Sequence, residues 1–498
     1  MSKKPALNLG AWHRLNGSEG GPALQLPAHH LVTHAVVVGM TGSGKTGLVT
    51  VLCEEALSAG VPLIVIDVKG DLPNLLLSFP NFAPEAYAPW SGAAQTEGGS
   101  FQSPEAMQAA QQLEAQQLAE RQRQSLEKWG IDEARLRDYC EKTSIRVFTP
   151  GASAGESLHV LSALERRSSR WDTDPEAARD ALSAAVSLVL RLLGRDPDPA
   201  KSREHVLLSV LAEYRLASGQ NADIVTLMRD LESPPISEIG ALPINSFFKK
   251  KERSNLAAAL NNLLASPTFS SWRQGASLDI GEWLAPKNGR TQAVIVSVAH
   301  LDDEERALVL GVLLEEILSW VRGLRGSDRL RALIVFDEVY GFLPPHPANP
   351  PTKRPLVSLM KQARAYGVGV VVATQNPMDL DYRALSNAGV WCIGRLQTDA
   401  DRARVLDGLA GSSASLSDSE AELGRYLQRL APRWFIMKNA HVPDAEPILL
   451  NPRHAMSLLR GPMTRAEILE ARQSRSVKET APDSSTYLVP TATTIGMA

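Results

Sequence analysis

The chain has few cysteines, and they are scattered. Only three occur among the 498 residues, at Cys53, Cys140 and Cys392, and no two of them form a CxxC pair. Sparse thiols of this kind are typical of a reducing cytoplasm and argue against a disulfide framework or a structural zinc site. The ten histidines add no ligand spacing to them. We therefore predict a cytoplasmic protein without a metal site built from protein ligands alone.

The chain also lacks an excess of charge and a long apolar run. Its formal net charge is -3 and its pI is about 6.4, so any DNA-binding surface must be a local patch or a pore lining. No run approaches the roughly 20 apolar residues that a membrane span needs, and the longest candidate, 181–193, contains Arg191. No apolar signal segment follows Met1–Lys4. We expect a soluble protein.

Two stretches of alternating strand and helix patterns predict an α/β fold. The first stretch has a buried strand at 31–38, a helix at 46–58 and a second strand at 62–71, which form a parallel βαβ unit. The second begins with a strand at 292–298. Further apolar runs predict strands at 331–339, 367–377, 389–397 and 431–439, the last an edge or C-terminal strand.

The segments between and beyond these stretches differ in composition. Residues 91–143 are rich in Ala, Gln and Glu, which predicts an exposed helical insertion that resembles a coiled-coil arm. Much of 174–285 is also predicted to be helical. Thr464 and Glu467 form a capping-box pattern for a last helix. After residue 474 the polar composition predicts disorder.

The octapeptide GMTGSGKT at 39–46 fits the phosphate-binding loop pattern G-x-x-x-x-G-K-[ST]. Glycines let the loop turn its N–H groups onto phosphate oxygens, and the helix that follows adds its positive end. Lys45 would reach the β- and γ-phosphates, and the Thr46 hydroxyl would ligate Mg²⁺. The alternative is a chance glycine turn. The predicted binding residues are Gly39, Thr41, Gly42, Ser43, Gly44, Lys45 and Thr46.

Asp337 and Glu338 follow four apolar residues of a predicted strand. Ligands of open α/β sheets bind at the carboxyl ends of the strands. There Asp337 would hold Mg²⁺ through water, and Glu338 would polarise the attacking water. The alternative is an acidic strand end that starts a turn. The Asp-Glu pair favours an ATPase motor over a kinase or GTPase switch, and the absence of an Asn-Lys-x-Asp pattern favours ATP over GTP.

Two further polar residues end predicted strands at the same edge. Gln375 could sense the γ-phosphate or orient water, or it could simply be a polar strand terminus. Asp67 follows the strand after the loop helix and could join the Mg²⁺ or water network. We count both, with Glu338, among the candidate catalytic residues.

Together these motifs resemble the HerA–FtsK superfamily of motor ATPases, and its bacterial HerA-like branch most closely. The resemblance covers 31–80 and 290–460, is weaker at 200–290 and is poor over 91–143. The segments that carry it are GMTGSGKT, VIDVKGD, IVFDEVYGF, KQARAYGVGVVVATQNP and LSNAGVWCIGRLQTDADRARV.

This resemblance implies a RecA-like P-loop core with a mostly parallel sheet, in a hexameric ring that threads double-stranded DNA. It also implies a nuclease or defence effector as partner, in repair or antiviral defence. Lys45, Thr46, Asp337 and Glu338 match the two Walker motifs, and Gln375 and Asp67 match further family positions. Arg364 matches a catalytic arginine ahead of the glutamine-bearing strand.

The sequence departs from the family in two places. Thr33 stands where HerA proteins carry an arginine that acts in trans, so Arg395, Arg402 and Arg404 are our replacement candidates for the arginine finger. Each of these, like Arg364, could instead form a structural salt bridge. About 30 residues precede His29, too few for the family's β-barrel, and the polar end at Ala498 is consistent with a truncated chain.

Two basic segments are candidate DNA contacts, because phosphate contacts supply affinity that does not depend on sequence. One lies beside two phenylalanines, which could instead mark a solvated helix start. The other follows the Asp337-Glu338 strand in a proline-rich loop, which could equally be a rigid connector. The candidate residues are Lys249, Lys250, Lys251, Arg253, Lys353 and Arg354.

We divide the chain into five predicted segments and favour one of three functions. The segments are a lead-in (1–28), a first ATPase core segment (29–90), a helical insertion (91–288), a second ATPase core segment (289–450), and a last helix with a tail (451–498). The favoured function is an ATP-driven translocase or helicase for double-stranded DNA. The alternatives are an ATPase of secretion or conjugation transport, and a nucleotide-gated scaffold for an effector nuclease.

Overall fold

The computed structural model describes residues 5–17, 19–92, 104–375, 377, 380–385, 388–410, 417–442 and 446–480. The tail predicted to be disordered lies largely outside these ranges, as do residues 93–103 of the predicted insertion. Among the described helices, none is both long and apolar enough to cross a lipid bilayer.

An 11-stranded sheet forms the centre of the fold. Its strands, in chain order, are β1 (Gly10–Arg14), β2 (Gly20–Gly21), β3 (Ala35–Val38), β4 (Leu63–Asp67), β5 (Thr143–Phe148), β6 (Thr291–Ser297), β7 (Ala332–Asp337), β8 (Val368–Thr374), β9 (Val390–Ile393), β10 (Phe435–Asn439) and β11 (Ile448–Pro452). Their spatial order is β2-β1-β11-β10-β9-β3-β8-β7-β4-β6-β5. Neighbours from β9 to β5 pair in parallel, and those from β9 to β2 pair antiparallel. The predicted mostly parallel α/β fold is confirmed.

Helices cover both faces of the sheet. The α-helices are α1 (Lys45–Ser58), α2 (Pro84–Tyr87), α3 (Pro104–Glu127), α4 (Glu133–Lys142), α5 (Ser162–Glu165), α6 (Arg170–Thr173), α7 (Pro175–Leu192), α8 (Arg203–Ala217), α9 (Ile224–Glu232), α10 (Ile244–Phe247), α11 (Lys250–Ala265), α12 (Ile280–Leu284), α13 (Asp303–Arg322), α14 (Lys353–Gln362), α15 (Tyr382–Leu385), α16 (Asp399–Ala410), α17 (Ser417–Arg429) and α18 (Arg465–Thr480). Short 3-10 helices include Ala28–Thr33, Leu72–Leu76 and Ala363–Tyr366.

The apolar strands are buried because each face of the sheet has its own core. Val36 and Val38 of β3 point into a core with α7, α8 and α13, whereas Ala35 and Val37 point into a core with α1 and α4. Parallel strands buried on both faces need continuous apolar runs. This is why these strands could be recognised in the sequence.

The described residues of the predicted insertion are helical but do not extend as an arm. Most of α3 is exposed, yet Ala115, Ala119 and Leu126 are buried. Gln122 also donates from Nε2 to the carbonyl oxygens of Ala455 at 3.1 Å and Met456 at 3.3 Å. The helix therefore lies along the core, because its alanines permit close contact on one face.

The N-terminal segment belongs to the sheet, which corrects its prediction as a lead-in. Leu7 and Leu9 are fully buried, and β1 pairs with β11. A side chain at Gly10, with φ 130°, would place its Cβ only 2.2 Å from the carbonyl oxygen of Asn451. The glycine therefore permits this close pairing.

The C-terminal segment also packs more tightly than predicted. β10 lies between β9 and β11, so it is not an edge strand, and the short β11 was missed in the sequence. Arg453 is fully buried and donates to Glu54 Oε2 at 2.8 Å and to Glu55 Oε1 at 2.9 Å, both on α1. The Thr464–Glu467 capping box is confirmed by a 2.7 Å bond from Thr464 N to Glu467 Oε2. The division into five segments stays a prediction.

Candidate nucleotide site

The phosphate-binding loop connects β3 to α1 at the carboxyl edge of the sheet. Gly42 and Gly44 have φ values of 78° and 93°, which a residue with a side chain rarely adopts. The amide of Gly39 donates to the carbonyl oxygen of Thr374 at 3.2 Å, and that of Met40 donates to the carbonyl oxygen of Arg395 at 2.9 Å. Neighbouring strand ends therefore hold the loop where α1 begins at Lys45.

Close contacts explain two of the glycines. A Cβ at Gly39 would lie 2.5 Å from Ser43 Oγ, and one at Gly44 would lie 3.0 Å from Cα of Arg433. The Arg433 amide also donates to the carbonyl oxygen of Ser43 at 2.8 Å. Arg433 therefore supports the loop from the segment before β10. The sequence carried no signal for it, because it lies far along the chain.

Lys45 lies inside the site and is paired with Glu338. Its side chain is only 4% exposed, and Nζ donates to Glu338 Oε2 at 3.1 Å. Burial lowers the pKa of Lys45, while the charges of Glu338 and Asp337 act in the opposite direction. The lysine and glutamate predicted for phosphate contact and water activation thus meet across the sheet.

Lys69 is a further cation in this site, and the sequence analysis did not single it out. It follows β4 by two residues, and its Nζ donates to the same Glu338 Oε2 at 2.6 Å. Its side chain is one-third exposed, at 33%. A lysine just beyond the carboxyl end of a buried strand is a signal that could have indicated it.

Glu338 is held at both carboxylate oxygens. Oε1 accepts from Thr374 Oγ1 at 3.0 Å and from the Gln375 amide at 3.1 Å. The residue has φ 62°, an unfavourable backbone conformation that the surrounding contacts must maintain. Burial alone would raise the pKa of Glu338, but Lys45, Lys69 and the hydrogen bonds lower it overall. The carboxylate is therefore kept ionised.

Asp337 has the properties of a cation ligand. It is buried, and its Oδ1 has no hydrogen-bond partner among the described residues. Burial raises the pKa of Asp337, and Lys45 partly offsets this. A buried carboxylate oxygen without a donor fits Mg²⁺, for which carboxylate and hydroxyl oxygens are suitable ligands. Thr46, in the first turn of α1, supplies the predicted hydroxyl.

Gln375 lies against the phosphate-binding loop, as its position at the end of β8 predicted. Thr41 Oγ1 donates to Gln375 Oε1 at 2.8 Å. Gln375 therefore lies between the loop, which its side chain contacts, and Glu338, which its backbone amide contacts. This is the position from which it could orient a water or sense a phosphate.

Asp67 anchors a loop, which differs from its predicted role beside Mg²⁺. Its Oδ1 accepts from the Gly70 amide at 3.0 Å, and its Oδ2 accepts from Ser297 Oγ at 2.7 Å. Burial raises its pKa to about 7. Both oxygens are occupied, so Asp67 shapes the turn that carries Lys69.

Arg364 lies at the opposite edge of the sheet from the phosphate-binding loop. It precedes β8, whereas Gln375 follows it, and the seven residues of that strand span roughly 20 Å. Arg364 is exposed, and its carbonyl oxygen accepts from the Gly367 amide at 3.1 Å. The structure therefore does not bring Arg364 to the nucleotide site of its own chain.

Thr33 also lies at this amino edge, and its side chain is buried. Thr33 Oγ1 donates to the carbonyl oxygen of His30 at 2.8 Å and lies 2.6 Å from Nε2 of His441. Its small side chain fits beside Gly389, where a Cβ would approach Thr33 Oγ1 to 2.0 Å. Packing around Thr33 therefore leaves no space for the arginine that HerA proteins carry at this position.

The three replacement candidates for an arginine finger differ. Arg395 is exposed and follows β9 at the carboxyl edge, beside the loop of its own chain. Arg402 donates to the carbonyl oxygen of Leu396 at 3.3 Å and forms an ion pair with Asp399. These contacts hold Arg402 within its own helix, which argues against a finger. Arg404 is half-buried on α16.

The first candidate DNA-binding segment divides into exposed and buried residues. Lys249, Lys250 and Lys251 are exposed at the start of α11. Arg253 is buried, and it donates to the carbonyl oxygens of Leu231 at 2.9 Å and Phe248 at 2.7 Å. The prediction of Arg253 as a DNA contact is therefore wrong, because the helix turns its side chain into the core.

The second candidate segment is held by ion pairs. Lys353 Nζ lies 3.5 Å from Asp381 Oδ2. Arg354 pairs with Asp180 at 2.5 Å and Glu315 at 3.8 Å. These contacts tie the start of α14 to its neighbours. Lys353 is only 13% exposed, whereas the Arg354 side chain stays 61% exposed beside its two carboxylate partners.

Comparison with known proteins gives one family match. The family model described as the central domain of helicase HerA matches residues 23–169. The matched segment contains the phosphate-binding loop and supports the predicted resemblance to the HerA–FtsK superfamily. No curated protein matches the chain.

Several solved structures are similar to the chain. VirB4 of Thermoanaerobacter pseudethanolicus is 14% identical with a TM-score of 0.48, over 91% of this chain and 98% of that one. The plasmid coupling protein TrwB, in complex with the ATP analogue ADPNP, is 13% identical with a TM-score of 0.45, over 89% of each chain. The packaging NTPase B204 of Sulfolobus turreted icosahedral virus 2 is 13% identical with a TM-score of 0.24, over 35% of this chain and 72% of that one.

Proposed function

We propose that the chain is a ring motor of the HerA–FtsK type that hydrolyses ATP to translocate or unwind double-stranded DNA; the match to the central domain of helicase HerA over residues 23–169 supports this. The observation that carries the proposal is the contact between Lys45 and Glu338, with Gln375 beside them. Phosphate-binding and water-activating groups therefore share one buried site. ATP and Mg²⁺ are the cofactors that these groups fit.

The residues divide the hydrolysis step among them. Lys45 and the amides at the start of α1 bind the phosphates. Mg²⁺, held by Thr46 and Asp337, would offset the phosphate charge. Glu338 accepts a proton from water as the water oxygen bonds to the γ-phosphorus. The bond from that phosphorus to the bridging oxygen breaks, which releases ADP and inorganic phosphate. Gln375 orients the water.

The placement of Arg364 supports an oligomer. It is exposed at the amino edge of the sheet, roughly 20 Å from its own loop by the length of β8. An arginine there can stabilise the transferring phosphoryl group only in a neighbouring subunit, as arginine fingers do. We propose a ring, with a hexamer as the expected form, in which Arg364 acts in trans.

Exposed lysines supply a place for DNA. Lys249, Lys250 and Lys251 follow one another at the start of α11. A row of ammonium groups binds phosphates without reading bases. This suits a motor that moves along any sequence, with a nuclease or defence effector as the proposed partner.

The test is steady-state ATPase activity of the full chain with and without linear duplex DNA, beside Glu338→Gln. We expect DNA to stimulate turnover, salt to weaken binding, and Glu338→Gln to reduce kcat by at least about 100-fold. Turnover without any effect of DNA would contradict the translocase and favour transport of another cargo. Glu338→Gln with unchanged turnover would contradict the site itself.

A further inference from the structure

Two ammonium groups converge on one oxygen of the proposed base. Lys45 Nζ lies 3.1 Å and Lys69 Nζ lies 2.6 Å from Glu338 Oε2. The Lys69 contact is the shorter one. The phosphate-binding motif accounts for Lys45, but the proposed hydrolysis step gives no role to Lys69.

The loop that carries Lys69 is fixed from both sides. Asp67 Oδ1 accepts from the Gly70 amide at 3.0 Å, and the Met463 amide donates to the carbonyl oxygen of Gly70 at 2.9 Å. Gly70 has φ 90°, a conformation that favours glycine at this sharp turn. Lys69 is therefore held toward Glu338 by its backbone.

Binding of a triphosphate changes what Lys45 can do. Phosphate oxygens compete with Glu338 for the three N–H donors of the Lys45 ammonium group. Lys69 reaches Glu338 from the loop after β4 and keeps its contact when Lys45 turns to phosphate. The adjacent buried Asp337 would otherwise repel the Glu338 charge.

We propose that Lys69 is the positioning residue that holds the Glu338 carboxylate in place during hydrolysis, while Lys45 binds the phosphates. The inference rests on the proposed function, because it gives Lys69 a role in the same reaction. It assigns the two lysines to separate steps: Lys45 to nucleotide binding and Lys69 to turnover.

The split between kcat and KM for ATP distinguishes this role from a structural one. A residue that only supports the fold would change both constants, whereas a residue that positions Glu338 should change turnover alone. Recovery by Lys69→Arg, which keeps a positive charge at this position, is the second distinction.

The experiment compares Lys69→Met, Lys69→Arg and Glu338→Gln in the full chain, by kcat and KM for ATP. Lys287→Met, at an exposed ion pair with Glu282, is the matched control. We expect Lys69→Met to lower kcat about tenfold with KM within about twofold, and Lys69→Arg to recover most of the lost kcat. Lys287→Met should leave both constants unchanged.

Two outcomes would overturn the inference. An unchanged kcat in Lys69→Met would show that Glu338 does not need the lysine. A rise in kcat would show instead that Lys69 restrains the base. If Glu338→Gln also retains turnover, the proposed site fails; if only Lys69→Met behaves like wild type, the proposed function stands without this role.

Discussion

The two edges of the central sheet differ in what they bring together. At the carboxyl edge, Lys45, Glu338 and Gln375 meet within hydrogen-bonding distance of one another or of shared partners. At the amino edge, Thr33 is packed against Gly389, and Arg364 is exposed. The carboxyl edge brings its three residues together within one chain. The amino edge offers a charge that its own chain cannot bring to the nucleotide, which is why we propose a ring.

The amino edge also contains a buried histidine. His34 has φ 69°, and its Nδ1 accepts from the Val370 amide at 3.1 Å. Burial lowers the pKa of His34 to about 4, so the imidazole stays neutral at physiological pH. His34 therefore adds no charge at this edge, where Arg364, Arg329 and Arg331 are exposed.

Lys45→Ala tests the carboxyl edge and should have the largest effect. Without the ammonium group, ATP binding and hydrolysis should both fall to background, a loss of at least about 1,000-fold in turnover. Nucleotide binding by a fluorescent ATP analogue and phosphate release measure the two. Normal binding by this variant would place the nucleotide elsewhere, and an unchanged thermal midpoint is the control for folding.

Arg364→Ala tests the amino edge and should affect turnover alone. A trans-acting arginine can be worth roughly 10³ in rate, so hydrolysis should fall steeply while ATP affinity is kept. Mixing Arg364→Ala with Lys45→Ala subunits should restore some of the activity, since each supplies the group that the other lacks. The absence of any recovery in mixed rings would show that Arg364 does not act in trans.

Lys250→Ala with Lys251→Ala addresses DNA instead of nucleotide. The double change should weaken duplex binding about tenfold at low salt and reduce the salt slope by about 2, with basal ATPase unchanged. Fluorescence anisotropy over a salt series measures both quantities. The matched control is Lys201→Ala with Lys287→Ala, two exposed lysines elsewhere on the surface. Equal losses in both pairs would indicate only a general charge effect.

Asp67→Asn tests stability instead of activity. The folded-state pKa of Asp67 is raised to about 7 by burial, whereas the unfolded value is near 3.8. The folded chain therefore binds the extra proton, and stability is lost as pH rises toward 7. Wild type should lose roughly 3 kcal/mol relative to Asp67→Asn between pH 5 and 8. Thermal unfolding across that range measures it; a constant difference would contradict the assignment.

The sequence predicted the carboxyl edge well because its signals are local. Glycines with an adjacent lysine, and an acidic pair after four apolar residues, each report one strand end. Parallel strands put all such ends on one edge, so Lys45, Glu338 and Gln375 could be placed together without coordinates.

Contacts between distant segments could not be predicted in this way. Arg433 supports Ser43, and Met463 supports Gly70, although no pattern in either segment names its partner. The side chain of Arg253 turns inward while its three lysine neighbours stay exposed, because the helix turn decides this and the charge does not. The distance between Arg364 and the phosphate-binding loop depends on the length and direction of β8, which no local sequence pattern near Arg364 reports.

The buried ion pairs of Arg453 with Glu54 and Glu55 have a consequence for the order in which the protein is made. Chains fold as they emerge from the ribosome, beginning at the amino end. The helix behind the phosphate-binding loop emerges early, but its Glu54 lacks a buried counter-ion until residue 453 has been synthesised, whereas Glu55 also pairs with Arg135. The helix that follows the phosphate-binding loop therefore has all its buried ion pairs only when nearly the whole ATPase core has been synthesised. An unfinished chain lacks this support for ATP binding.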